Sequence, residues 1–145
     1  MIKGNKIQLC AVEKEHLPIL QKWRNNPEFR KYYREYRELT LFHKEKWYES
    51  KEVNDDSWQF FVVKPIDKDT VIGSCGLTYI NWVHRTGEFS ITIGDKEYRN
   101  GGYGSDALRT LIKYGFEDLN LNRIWCEVYS NNDAIDIYRH VGFKD

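Results

Sequence analysis

Apolar and polar positions along the chain switch between a period of two and a period of three to four, and each switch marks an element. Ile7-Gln8-Leu9-Cys10-Ala11-Val12 alternates and predicts a first strand. Glu13 to Trp23 changes to helical spacing through Leu17, Leu20 and Trp23, with Pro18 tolerable only in the first turn and Asn25-Asn26-Pro27 ending the run. Thr40 is placed to cap a helix carrying Leu41, Phe42, Glu45, Lys46, Trp47 and Tyr48. Alternation returns over Trp58–Val63, Thr70–Ile80 and Glu88–Gly94, separated by the turns Lys64–Asp69 and Asn81–Arg85; strands joined this closely form an antiparallel meander. Gly73 and Gly76 mark a bulge or a close backbone approach. The clearest helix follows, with Leu108, Leu111, Ile112, Gly115, Phe116 and Leu119 on one face and Asn120–Asn122 ending it. Arg123–Ser130 is then a strand, which the helical crossover places parallel to Glu88–Gly94, and Asn131–His140 is a last helix stopped by Gly142. The expected fold class is α/β of the α+β kind: a mixed, mostly antiparallel sheet with a central parallel pair and flanking helices.

Composition narrows the picture. A chain of 145 residues is one domain's worth. Lys plus Arg and Asp plus Glu balance at 22 each, so no global field draws the chain to nucleic acid or a membrane surface. Cys10, Cys75 and Cys126 are far apart, lack metal-ligand spacing and fall in predicted strands, which points to buried reduced thiols. No stretch has the length of a signal peptide or a membrane span, and the chain reads as cytoplasmic and soluble, with no metal.

The chemistry concentrates at Arg99-Asn100-Gly101-Gly102-Tyr103-Gly104, between the alternating Phe89–Gly94 run and the amphipathic helix. Glycines at a helix start let backbone approach a ligand closely, and the free N–H groups of the first turn favour an anion. This is a place for a phosphate, with Arg99 as a charge-assisted clamp. A P-loop would need Lys and Ser/Thr after its last glycine, where this chain has Ser105 and Asp106. The dinucleotide fingerprint fits Gly102-x-Gly104-x-x-Ala107, with Glu127 at roughly the ~20-residue offset of a ribose-binding acid. Against it, the charged linker Asp95–Arg99 separates the motif from its strand, and too little sequence follows for a doubly wound sheet. The third reading is a coenzyme A pyrophosphate site. Arg-x-x-Gly-x-Gly after an alternating strand, then a helix, then Asn131-x-x-Ala134-Ile135-x-Ile137-Tyr138-x-x-x-Gly142-Phe143 resembles the GNAT N-acetyltransferase superfamily, in its order and spacing. The Trp23–Glu28 segment and the Asn81–Arg85 turn with Glu88-Phe89 are similar to its spermidine, amino-sugar and ribosomal-protein branches.

That resemblance implies the GNAT acyl-CoA N-acyltransferase fold, acetyl-CoA as cosubstrate, and direct attack by a primary amine in a ternary complex, the acceptor being an amino sugar, a polyamine or a protein N-terminus. It assigns the coenzyme's pantetheine arm to the backbone of Ile91, Thr92 and Ile93, and its diphosphate to Arg99, Asn100, Gly101, Gly102, Tyr103, Gly104 and Ser105. Asn131 either caps the last helix or bonds a pantetheine amide. Tyr138 stands where the family carries its acid. The base is open between Glu88, which is preferred, Glu127 and neither. His84 is a solvated or acceptor-contacting turn residue with a lesser reading as proton shuttle. Phe29–Glu38, rich in Tyr and Arg, is either an acceptor-gripping loop or a solvated turn capping the core. The family's usual last two strands are missing after Phe143, so the expectation is a C-terminally truncated domain or an edge beside Arg123–Ser130 that a second copy covers, giving a homodimer. A coenzyme-binding module without turnover is the alternative function.

Overall fold

The computed structural model describes residues 1–51 and 56–145. Its frame is a six-stranded sheet in simple order, β1 Ile2–Lys3, β2 Ile7–Ala11, β3 Gln59–Pro65, β4 Gly73–Asn81, β5 Thr86–Ile93 and β6 Arg123–Trp125. Pairing is antiparallel from β1 through β5, and β6 joins β5 in parallel. The helices are α1 Leu17–Asn25, α2 Pro27–Arg30, α3 Leu41–Lys51, α4 Tyr103–Lys113 and α5 Ala134–Val141. The mixed, mostly antiparallel sheet expected from the pattern is therefore present, but its parallel pair lies at the edge of the described sheet rather than at the centre, because β6 follows β5 as the last strand in the order.

Strand pleating sends successive side chains to opposite faces. Val62 enters a smaller core with Leu17, Leu20 and Trp23, against which Trp47 and Tyr48 of α3 pack. Its neighbour Val63 enters the larger core with Ile7, Leu9, Leu77, Phe89, Leu108 and Leu111, where Tyr138 and Phe143 also pack. Helices α1 and α3 thus cover one face, and α4 and α5 the other. Pro18 sits in the first turn of α1, where its missing N–H costs nothing, and the Thr40 hydroxyl accepts from His43 N (3.2 Å) to cap α3. Gly73 and Gly76 mark close approach as expected: a Cβ at Gly73 would lie 2.3 Å from the Thr92 carbonyl oxygen.

Several boundaries differ from the pattern, each for a physical reason. Strand β1 is two residues long, too short for alternation to register. Helix α4 runs into a π-type turn over Tyr114–Asp118, with Leu119 N donating to Tyr114 O (3.1 Å), and the extra residue rotates the apolar face. Phe116, assigned to that face, consequently points outward, while Tyr114 turns in against Phe61. Strand β6 stops at Trp125 rather than Ser130, because its partner diverges. Cys126 therefore lies beyond the strand and is half-buried; Cys10 is also half-buried and Cys75 fully buried, all three free. The last helix begins at Ala134, three residues later than expected. Among the described residues, no helix is long and apolar enough to cross a membrane.

Candidate active site

The β5–β6 ladder has the register Thr86↔Arg123, Gly87↔Ile124 and Glu88↔Trp125, and there it ends. Strand β5 continues to Ile93 while the chain after Trp125 leaves regular structure. From Ser90 onward, β5 is hydrogen-bonded through β4 on one side, and its other backbone edge faces a wedge-shaped opening. Ile91 and Ile93 turn their backbone groups to that edge, where the Ile93 carbonyl already accepts from Arg99 Nε, while those of Thr92 face β4; an extended ligand carrying amides can add to the remaining groups as a strand does.

At the end of this edge the chain passes Gly94 and enters the loop before α4. Gly94 is required where it stands, because a Cβ there would meet the Trp23 ring at 2.1 Å. Asn100 (φ 64°) and Gly102 (φ 83°) are both left-handed, which curls residues 99–102 back over the first turn of α4. Helix α4 starts at Tyr103 with Gly102 as its cap and, among the described residues, no side chain capping the first-turn N–H groups. Those of Tyr103, Gly104 and Ser105 are thus the groups a diphosphate would meet. Arg99, Asn100, Gly101, Gly102, Tyr103, Gly104 and Ser105 form one continuous loop-and-turn, but Arg99 is already engaged. Its Nε donates to Ile93 O (3.2 Å), its Nη2 to Gly94 O (3.4 Å), and its guanidinium stacks on Phe29 at 4.5 Å. Arg99 fixes the angle between β5 and the loop; a free anion clamp it is not.

The cation the pattern did not reveal is Lys6. Its Nζ donates to Gly101 O (2.8 Å) and lies 5.5 Å from the centre of the Tyr103 ring. Asp106 holds it there: its buried carboxylate accepts from the backbone N–H of Asn5 (3.1 Å), Lys6 (2.7 Å) and Ile7 (3.0 Å), tying the β1–β2 turn to α4. Lys6, Gly102, Ser105, Arg109 and His140 border a cavity of about 310 Å³ beside the helix start. Lys6 and Arg109 bring positive charge to this border, in keeping with a phosphate-bearing ligand, and the Asp106 carboxylate on the same border is taken up by the three backbone N–H groups. A coenzyme with a diphosphate and an amide-rich arm fits the loop and the open edge together.

At the opposite end of the wedge stand the acid and base candidates. Helix α5 is held to β5 by Phe89, whose ring meets Tyr138 edge-on at 5.0 Å and Phe143 at 4.7 Å. Burial, reinforced by Cys126 and Tyr33, pushes the Tyr138 phenol up to about 12, so it stays protonated, as a proton donor must. Burial and the nearby Glu88 push the Cys126 thiol up to about 11, which leaves it neutral and a poor nucleophile. Glu88 lies on β5 with its side chain 11% exposed; Glu127, expected within the Arg123–Ser130 strand, lies past the end of β6 and is 70% exposed. Asn131 is exposed, and Asn132, not Asn131, serves the last helix: its Oδ1 accepts from Ala134 N (2.9 Å). His84 is exposed in the β4–β5 turn, where Asn81 Oδ1 accepts from its N–H (3.0 Å).

The Phe29–Glu38 segment covers the wedge. The Tyr33 hydroxyl bonds Thr92 Oγ1 (2.9 Å) while its ring stacks on Arg24 at 4.3 Å. Burial raises the Tyr33 phenol, against the lowering pull of the Thr92 bond and the Arg24 and Arg99 charges. Arg34 Nη2 reaches both Glu88 Oε1 (2.8 Å) and Glu127 Oε2 (3.0 Å). Arg30 pairs with Glu38, and Arg37 with Glu35 at 2.8 Å. The segment is tied to β5 through Tyr33 and Arg34, and these three arginines are bound to glutamates rather than forming free anion-gripping forks.

The chain as a whole is similar to known proteins. Residues 6–144 match the family described as Acetyltransferase (GNAT) domain. The spermidine N(1)-acetyltransferase of Escherichia coli K12 is 33% identical over 145 residues, covering 99% of this chain and 76% of that protein. The enzyme of the same name from Vibrio cholerae is 29% identical over 143 residues, covering 98% of this chain and 81% of that protein. The crystal structure of the Vibrio cholerae spermidine N-acetyltransferase in complex with CoA and spermine superposes with a TM-score of 0.88 at 28% identity, covering 98% of this chain and 83% of that one.

Proposed function

The chain belongs to the GNAT acetyltransferase family, and we propose from that premise that its acceptor is a polyamine of the spermidine kind. It is an acetyl-CoA-dependent N-acetyltransferase. The observation that favours a polyamine is the pair of carboxylates, Glu88 and Glu127, standing together at the mouth of the β5–β6 wedge. A polycation offers a second ammonium for the second carboxylate, whereas an amino sugar carries only one. The spermidine acetyltransferases similar to this chain support the same choice.

In this proposal the diphosphate rests on the N–H groups at the start of α4 with Lys6 and Arg109 nearby, and the arm lies along Ile91–Ile93. The acetyl thioester is the activated acyl donor. The neutral amine attacks its carbonyl carbon, an N–C bond forms and the C–S bond breaks. Glu88, directly or through water, takes the ammonium proton, and Tyr138 gives its proton to the departing thiolate. Backbone N–H groups of the Ile91–Ile93 edge face the oxyanion, each such donor contributing about 3–4 kcal/mol. Holding both reactants in one wedge contributes up to ~7–11 kcal/mol. A thiol-release assay with acetyl-CoA and a panel of polyamines, amino sugars and peptides tests the assignment. Spermidine or spermine is expected to give the highest kcat/KM; release with amino sugars or peptides alone would refute the polyamine reading. Self-association is included in the proposal, a Vibrio cholerae neighbour being dodecameric.

A further inference from the structure

We propose that Arg34 is a resident cation of the acceptor cleft, occupying the place between Glu88 and Glu127 that an acceptor ammonium takes, so that substrate binding is a cation exchange. The inference rests on the polyamine reading above. A single nitrogen, Nη2, touches both carboxylates, at 2.8 and 3.0 Å, from a segment 54 and 93 residues away in the chain. The contact is a shared point contact rather than the bidentate fork that arginine makes where it is meant to stay. Glu88 is nearly buried and needs a counter-charge when the cleft is empty; Arg34 is 57% exposed and returns to water at little cost.

The covering segment is built to let it go. Residues 31–40 between α2 and α3 have no regular structure, and the neighbouring Tyr33 keeps its own anchor on Thr92 when Arg34 swings out. The reacting nitrogen must give up its proton before it attacks, so it cannot itself go on replacing the guanidinium. A second nitrogen of the same molecule must, and a polyamine has one where a simple monoamine does not. With Arg34 displaced, Glu88 is free to accept the proton and Glu127 to hold the remaining ammonium.

Steady-state kinetics and calorimetric titration with spermidine, on wild type, Arg34→Gln and Arg34→Lys, test this at saturating acetyl-CoA (kinetics) or CoA (titration). Removing the competitor is expected to lower the spermidine KM and Kd about five- to tenfold, of the order of 1 kcal/mol, while the KM for acetyl-CoA stays as an internal control. Arg34→Lys, which keeps a cation on a shorter reach, should recover most of the wild-type value. An unchanged or raised KM in Arg34→Gln would overturn the exchange and leave the polyamine reading standing. Spermidine that binds more tightly to Arg34→Gln but is turned over by none of the three would retain the exchange and reject spermidine as substrate. Absence of both binding and turnover would remove both.

Discussion

Tyr138, the proposed proton donor, packs edge-on against Phe89 of β5. Its distance from Asn131 and its place in the last helix marked it, and its neighbour Phe89 now explains how the phenol is held toward β5. Its raised pKa keeps the proton in place at neutral pH, yet makes full transfer to a thiolate of ordinary pKa ~8.5 uphill, so the proton moves as the C–S bond breaks. Tyr138→Phe should lower kcat about 100-fold with CoA affinity within a factor of about two, measured by thiol release and calorimetry. Cys126 is adjacent but held neutral; Cys126→Ala should retain turnover, and a dead variant would point to an acyl-cysteine route instead. Lys44 carried no signal in the sequence, because its setting depends on packing between α1 and α3. Its ammonium lies 4.5 Å from the Trp47 ring, and burial, then Arg24, lowers its pKa to about 8. The unfolded chain binds that proton up to about pH 10.4, so between about 8 and that value stability rises with pH as the cost of the buried charge disappears. Lys44→Met should therefore raise Tm at pH 7, with the gain shrinking toward pH 10; a constant gain would exclude the charge as its source.

At the scale of elements, the meander, the crossover and the glycine loop follow from period and turn chemistry, which are local. Where β6 ends is not local. Trp125, Glu127 and Tyr129 continue the alternation of a strand, but pairing stops at Trp125, and that divergence is what opens the wedge. Lys6, Arg109 and His140 escaped for the same reason: they reach the α4 start from different elements, and only the fold brings them together. The two glycines of the loop separate ligand effects from strain. A Cβ at Gly104 would lie 3.4 Å from Ile93 Cγ1, an ordinary contact, whereas Gly102 has φ 83°. Gly104→Val should weaken CoA about tenfold or more, equivalent to ~1.4 kcal/mol, at nearly unchanged Tm. Gly102→Val should lose both affinity and roughly 1–2 kcal/mol of stability. Calorimetry beside thermal melts distinguishes them, and a Gly104→Val protein of full affinity would count against the diphosphate role.

For the whole molecule, two cores on opposite faces of one sheet leave the β5–β6 divergence as the place where a long ligand can lie between α4 and the acceptor cleft. Balanced charge gives no global attraction for either substrate, so in the proposed reading recognition falls to Lys6, Arg109 and the α4 start at one end and to Glu88 and Glu127, with Arg34 between them, at the other. Acetyl-CoA at about 100 times its Kd should stabilise the fold by about 2.7 kcal/mol, while NADH should not, which separates this site from a dinucleotide site of similar glycine spacing. The most direct measurement is a crystal structure of the chain with CoA bound. The account predicts the diphosphate on the N–H groups of Tyr103, Gly104 and Ser105, and the arm hydrogen-bonded along Ile91–Ile93 in the wedge. A coenzyme bound elsewhere, or an arm that leaves the β5 edge untouched, would contradict it.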